Sequence, residues 1–320
     1  MDRIRIAFIG ASHSHAQAKI QVVRESRAWE LAGVYEEDPR IRAELEKSGV
    51  QLRARDEILA DASIPVVAVE SAVGDHALHG RLAVEAGKHV HLEKPPADNL
   101  SAFREIVTIA ERKHLLVQMG YMWRYNPAVN RALEAARKGW LGDIYLVRGM
   151  MNTLIGAERR PDWALFRGGQ MFEQGAHLID IVVRLLGKPA KITSFLRTHG
   201  NFKDRLADNT VAIFDYPKAM AIIQSAVLQP NANAHRCLEL YGSNGTAVVR
   251  PIEPPVLAID LAKPAGPYEA KLQTFPAMPY RRYVGDFEEL AEAIRTRQPL
   301  LITPQDDLLV QETLLKASEM

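Results

Sequence analysis

The stretch RIRIAFIGASHSHA, residues 3–16, decides how the rest of the chain is read. RIRIAFIG (3–10) is apolar and β-branched and stops at a glycine, the pattern of a strand. Residues 14–26 carry a helical pattern. A strand that breaks at glycine and restarts as a helix leaves backbone N–H groups at the helix start, which favour an anion. This is where a G-x-G-x-x-G dinucleotide fingerprint stands in a doubly wound fold. Of its glycines, GASHSHA (10–16) keeps only Gly10. Ser12 takes the second position, small enough for close backbone approach and able to bond a phosphate oxygen. His15 takes the third, with His13 between them. A turn without a ligand is the plain alternative, and the remaining strand ends must decide. The His13-Ser14-His15 run is metal-like in composition, but its place at such a turn favours phosphate contact or helix capping.

Working outward, WELAGVYE (29–36), VVAVES (66–71), KHVHLE (88–93) and LLVQMGY (115–121) repeat the short apolar strand pattern. Helical stretches lie between them, one opened by Asp38 as N-cap with Pro39 in the first turn. Such alternation predicts a parallel sheet covered on both faces, with ligands at the carboxyl ends of its strands. The ends are Gly10, Glu36, Ser71, Glu93 and Tyr121. Glu36 stands where the acid that bonds an adenosine ribose is expected, and an acid there repels a 2′-phosphate. NAD is therefore favoured over NADP. At the fourth end, HLEKPP (91–96) puts Lys94 at the mouth of the sheet, with two prolines restricting the backbone beyond it. Most lysines before a loop are simply solvated.

From about residue 143 the pattern changes to successive strands separated by turn signals, with one long helix over about 173–186. That predicts an antiparallel α+β domain, and two helices near 281–297 and 304–318 close the chain. Glu173, His177 and Asp180 fall at i, i+4 and i+7 of the 173–186 helix, on one stripe among apolar neighbours. A satisfied buried network is the bland account of such a stripe. No second histidine stands at metal-ligand spacing on this helix, so no metal is expected.

The 320 residues are 47% hydrophobic with a formal net charge of +1. Nothing in that balance points to nucleic acid or an anionic membrane surface. Cys237 is the single cysteine, so no intrachain disulfide forms. No apolar run is long enough to span a bilayer and none has the length of a secretory h-region. A cytoplasmic protein is expected.

In this order, these residues resemble the Gfo/Idh/MocA family of NAD(P)-dependent oxidoreductases along nearly the whole chain. HLEKP is similar to the family's Glu-Lys-Pro motif, its most specific signature. EAGKHV before it and His76 upstream also fit. GYMWRYNPA (120–128) resembles the Arg-Arg-Phe-x-Pro segment. GGQMFEQGAHLIDIVVRLLG (168–187) resembles the Gly-Gly-x-x-x-Asp-x-Gly-x-His-x-x-Asp segment. LELYGSNGTAVV matches a strand-turn-strand of the second domain.

The resemblance implies a Rossmann domain over 1–122 and an α/β domain over 123–320 with a large open, mainly antiparallel sheet. The last helix is allowed to pack back on the Rossmann domain. It implies Lys94, His177 and Glu173 as catalytic residues. Gly10, Ser12, His13, His15, Glu36, Ser71, His76, Glu93 and Lys94 are expected around NAD. Tyr121, Arg124, Tyr125, Trp163 and Asp180 are expected around a sugar, cyclitol or related polyol, with Arg160 and Arg167 as pointers to an acidic one. A cis Lys94–Pro95 bond and a homodimer or homotetramer built through the second sheet are further expectations.

The resemblance has four departures: Ser12 and His15 in the glycine turn, Ser71-Ala72-Val73 in place of Thr-Pro-Asn, Glu70 where a small apolar residue is usual, and Glu173 one methylene longer than Asp. The activity expected is hydride transfer between nicotinamide and a hydroxyl-bearing carbon. Two alternatives use the same fold: a glycosidase or lyase that oxidises its sugar transiently, and a non-catalytic binder.

Overall fold

The computed structural model describes residues 2–320. Its first half alternates as expected: β1 (Ile4–Ile9), α1 (Ala16–Glu25), β2 (Trp29–Tyr35), α2 (Pro39–Lys47), α3 (Arg55–Ala60), β3 (Val66–Val69), α4 (His76–Glu85), β4 (His89–Leu92), α5 (Leu100–Arg112) and β5 (Val117–Met119). The five strands form one parallel sheet in the order β2-β1-β3-β4-β5. Ile6–Ile9 and Val66–Val69 are wholly buried, as expected of parallel strands covered on both faces. The helix starts are chemically fixed. Asp38 accepts from the Arg40 N–H ahead of α2, and Asn99 accepts from the Ala102 N–H ahead of α5. The short helix α3 was not foreseen.

The second half contains α6 (Pro127–Arg137), β6 (Ile144–Met150), α7 (Arg160–Ala164), α8 (Ala176–Leu186), β7 (Lys191–Arg197), β8 (Asn209–Asp215), β9 (Met220–Ala226), β10 (Cys237–Gly242), β11 (Gly245–Val249), β12 (Leu257–Leu261) and β13 (Leu272–Phe275). Its strands form an eight-stranded sheet, β13-β12-β11-β10-β6-β9-β8-β7, antiparallel except where β6 runs parallel to β9. α6 and α8 pack on one face of this sheet. The other face carries the half-buried Ile213, Ile222 and Val248 and the exposed Phe195, Met220 and Leu272. The helices α9 (Val284–Thr296) and α10 (Pro304–Ala317) follow. Thr303 Oγ1 accepts from the Asp306 N–H, capping α10 as expected of a Thr-Pro start.

Internal packing divides the chain into two compact units, Met1–Tyr121 with Tyr283–Leu308, and Met122–Arg282 with Leu309–Met320. Residues 283–308 thus group with the parallel sheet and not with the stretch that begins at 123. The reason is Trp29 at the start of β2, which needs cover: its indole Nε1 donates to the Phe287 carbonyl at 3.0 Å, and Phe287 also packs near Phe8. No helix among the described residues is long and apolar enough to cross a membrane.

The helix expected over 173–186 is present, but its first residues have a wider hydrogen-bond spacing. Met171–Gly175 forms a π turn, and α8 proper begins at Ala176. Gly175 is a weak helix former, and its lack of a side chain leaves room for Met171 Sδ, which a Cβ would meet at 2.6 Å.

At the head of α6, Asn126 accepts from the Ala128 and Val129 N–H groups and donates to the Ile252 carbonyl. It is fully buried, so Asn126→Ala loses a cap and leaves backbone groups unpaired. Urea denaturation should show a loss of about 2–3 kcal/mol.

Candidate functional site

The first unit gathers its candidate residues at the carboxyl ends of β1 to β4. Gly10 has φ +82°, and a Cβ there would overlap the backbone of Ser71, so the first glycine is required by both conformation and space. Ser12 is exposed on the turn, while His13 is buried and donates its backbone N–H to the Glu70 carbonyl at 3.0 Å. Glu36 is buried at the end of β2. Its carboxylate accepts from the Ala11 N–H at 2.6 Å, the Glu37 N–H at 2.7 Å and the Asp38 N–H at 2.9 Å. It therefore ties the glycine turn to the second strand end, and about one of its four lone-pair sites is left for a ribose hydroxyl.

His76, at the start of α4, lies between the Pro95 carbonyl at 2.8 Å and the Ser71 carbonyl at 3.0 Å. Burial, helped by His13, lowers its pKa to about 4, so the ring is neutral and donates to one of the two. Ser71 Oγ meets His79 Nδ1 at 3.0 Å. The loop after β3 is thereby held to the prolines after β4. The Lys94–Pro95 peptide is cis, as the resemblance implies.

Beneath the turn lies a group of charges that sequence reasoning did not assemble. Lys19, Glu70 and Glu93 are all wholly buried. The Lys19 ammonium donates to Glu70 at 2.6 Å and to Glu93. His15, the N-cap residue of α1, meets Glu93 at 3.2 Å through Nδ1. The other Glu93 oxygen accepts the Lys94 N–H at 2.9 Å. Burial opposes the Lys19 charge, but the Glu70 and Glu93 carboxylates outweigh it and raise its pKa. Burial likewise opposes ionisation of Glu93, but Lys19 and the two histidines hold its pKa well below the usual carboxylate range. Glu70 goes the other way: burial raises it to about 8 despite Lys19, with Glu93 adding to the rise. Burial drives the His15 pKa down to about 3 against the pull of Glu93. His13, His15 and Glu93 place one donor atom each within 4.8 Å of one another, the spacing of a metal set. The Lys19 ammonium already sits on that carboxylate, however, and a second cation beside it is repelled.

The second unit arranges its candidates differently. His177 is buried on α8 with its ring 5.6 Å from that of Trp123. Glu173 is buried on the π turn before it, and Tyr125 is half-buried. Asp180 is held by Arg124, whose Nε and Nη2 reach one carboxylate oxygen at 3.0 and 2.7 Å, while Arg184 stands 3.6 Å from the other. Arg124 and Asp180 are thus partners of each other. Trp163 packs with Ile155, Leu206 and Val227 in a small core. Arg160 is buried and spanned by Asp204 and Asp208, so it offers no open charge to an acidic substrate, whereas Arg167 pairs with Glu319 at the exposed surface. Tyr121 belongs to the first unit and is buried there.

A parallel sheet with a glycine turn after its first strand and an acid ending its second defines a dinucleotide-binding unit. The chain belongs to the Gfo/Idh/MocA oxidoreductase family. Residues 4–121 match the model described as oxidoreductase family, NAD-binding Rossmann fold, and residues 129–248 match the family's C-terminal domain. Its first unit is therefore an NAD-binding Rossmann domain, and the Gly10 turn and Glu36 fit that cofactor.

Among curated proteins, the chain is 27% identical to the uncharacterized oxidoreductase YhhX of Escherichia coli, over 70% of this chain and 66% of that protein. It is 29% identical to a trans-1,2-dihydrobenzene-1,2-diol dehydrogenase of Bos taurus, over 51% of this chain and 48% of that protein. The matched stretches thus span from just under half to about two thirds of these relatives. Among solved structures, the UDP-N-acetylglucosamine 3-dehydrogenase of Acidithiobacillus ferrooxidans is 17% identical with a TM-score of 0.82, covering 99% of this chain and 97% of that one. It shares the fold.

The raised Glu70 pKa has a consequence for stability. A carboxyl whose folded pKa lies above its unfolded value favours folding while it is protonated, and that contribution is lost as pH rises through the folded pKa. Glu70→Gln keeps the neutral form at every pH. Urea denaturation at pH 5.5 and at pH 8.5 should show the variant gaining about 1–3 kcal/mol on the wild type between them. A constant difference would refute the raised pKa.

Proposed function

We propose that the protein is an NAD-dependent dehydrogenase acting on a secondary hydroxyl of a sugar, cyclitol or related polyol. The observation that carries this reading is Lys94 at the carboxyl end of β4, with its N–H held by the Glu93 carboxylate and its carbonyl side fixed by prolines. Membership of an NAD-binding oxidoreductase family supports it, as does the likeness to a relative named as a diol dehydrogenase.

In this reading Gly10, Ser12, His13 and His15 frame the pyrophosphate, Glu36 offers its remaining lone pair to a ribose hydroxyl, and Ser71, His76 and Glu93 shape the loops beside the nicotinamide. When bound, NAD supplies the hydride acceptor. The Lys94 ammonium donates to the substrate oxygen and stabilises the negative charge that grows there as the carbon is oxidised. His177 takes the hydroxyl proton on a ring nitrogen, being the side chain whose ordinary pKa is closest to neutral. Glu173 orients His177 or accepts a second hydroxyl. The Arg124–Asp180 pair holds α8 one turn beyond His177, a supporting part, and Tyr125 supplies an apolar wall with a polar tip. The open face of the eight-stranded sheet, with Phe195, Met220 and Leu272, is the surface on which a second copy packs, and light scattering should return a dimer or tetramer.

A screen of polyols and sugars read by NADH absorbance tests the activity. With an active substrate in hand, Lys94→Ala should lower kcat/KM by about 10²–10³ while leaving the thermal midpoint within a few degrees. Turnover near that of the wild type would remove Lys94 from the chemistry. Cleavage of a glycoside with no net NADH would point instead to transient oxidation.

A further inference from the structure

Lys19 is wholly buried inside a helix whose other buried residues are Ala16, Ile20, Val22 and Val23. A charge on an apolar stripe is expensive unless paired, and Lys19 is paired twice, across to the ends of both β3 and β4. Space for it is provided by Gly120 just after β5, where a Cβ would lie 2.8 Å from the Lys19 ammonium and 3.0 Å from Glu93. The Tyr283 ring at the start of α9 closes the site, 5.3 Å from the ammonium and 5.4 Å from the His15 ring. Four separate elements thus converge on one cation.

The carboxylate that Lys19 holds has two further jobs. One oxygen meets Lys19 and the His15 ring, in the turn where the cofactor's pyrophosphate belongs. The other meets the backbone N–H of Lys94. Any rotation of the Glu93 carboxylate would release both at once. His15 stands where the third glycine of a standard fingerprint packs the helix close to the sheet. Here that packing is replaced by an ion-paired hydrogen-bond chain.

We propose that Lys19 is a positioning residue: by fixing the Glu93 carboxylate it holds His15 in the dinucleotide turn and Lys94 at the strand end in register with each other. Its part in orienting Lys94 rests on the dehydrogenase reading above. Its part in the turn rests only on NAD binding.

The test is calorimetric titration of NAD into the whole protein, wild type and Lys19→Met, across about pH 5.5 to 8.5, with circular dichroism to confirm folding. The groups that face His15 are Glu93 and Lys94 just past β4, His13 from the turn and the Tyr283 ring. With Lys19 gone, Glu93 must take its counter-charge from His15, whose pKa then rises. Protonated His15 attracts the pyrophosphate, so the variant should gain affinity as pH falls, with a midpoint at about pH 5–7 that the wild type lacks. At pH 8.5 its Kd should be about tenfold weaker, the scale on which loss of a supporting contact is felt. Adding His15→Gln to Lys19→Met should erase the new pH dependence.

Should Lys19→Met fail to fold, Lys19→Met with Glu70→Gln removes a carboxylate along with its cation and carries the same expectation. A folded variant with the wild-type Kd and pH curve would overturn the proposal. So would failure of both variants to fold, which marks Lys19 as purely structural. A wild type that binds NAD yet oxidises no polyol sinks the dehydrogenase reading and leaves this readout intact.

Discussion

The ammonium of Lys19 between two buried carboxylates is the constraint on which the first unit's ligand-facing end depends. Removing one partner from a buried ion pair typically costs about 3–5 kcal/mol, because the survivor stays buried and uncompensated. Each of Lys19, Glu70 and Glu93 therefore demands the others. Gly120 is part of the same bargain, since a side chain there would occupy the space of the ammonium. Two carboxylates around one ammonium leave an excess of negative charge, and the structure disposes of it by burial at Glu70, which drives that group toward its neutral form. Glu93, flanked by Lys19 and His15, keeps its charge and with it the stronger hydrogen bonds that an ionised acceptor makes.

Much of this architecture is legible in the amino-acid sequence because it rests on local rules. Fully buried parallel strands such as Val66–Val69 read as unbroken apolar runs, and Asp38-Pro39 and Thr303-Pro304 announce helix starts. Glu36 and Lys94 are legible as strand-end residues for the same reason. The charge network is not, because its members are far apart in the chain and each taken singly resembles a surface residue. One signal was available: Lys19 falls at the i+3 position after Ala16 and one residue before Ile20, on the stripe that α1 must bury. The π turn at 171–175 left no trace, since a π and an α turn share nearly the same apolar pattern.

Charge pairing also narrows the second unit. Arg124, Asp180, Arg160 and Arg167 attract attention in a sequence because charged and aromatic residues line sugar sites. In the folded unit they neutralise Asp180, Arg124, Asp204 with Asp208, and Glu319 respectively. What pairing cannot be read from residue type alone, it follows, since it is set by contacts between segments dozens of residues apart. Glu173 and His177 stand on the π turn and the first turn of α8, on a backbone whose hydrogen-bond spacing changes just there.

The departures from the family pattern in the first unit form a set. Glycine in the third fingerprint position serves close helix–sheet packing, and losing it should loosen the phosphate turn. His15 restores a connection through Glu93, Glu93 needs Lys19, and Lys19 in turn is shared with Glu70, the residue that displaces a small apolar side chain at the end of β3. Replacing Glu70 by a small apolar side chain, while keeping the rest, would remove one of the two carboxylates that pair the buried Lys19 ammonium. His15, Glu70, Glu93 and Lys19 are therefore coupled energetically. A weak glycine motif here means that packing by small residues has been exchanged for packing by paired charges.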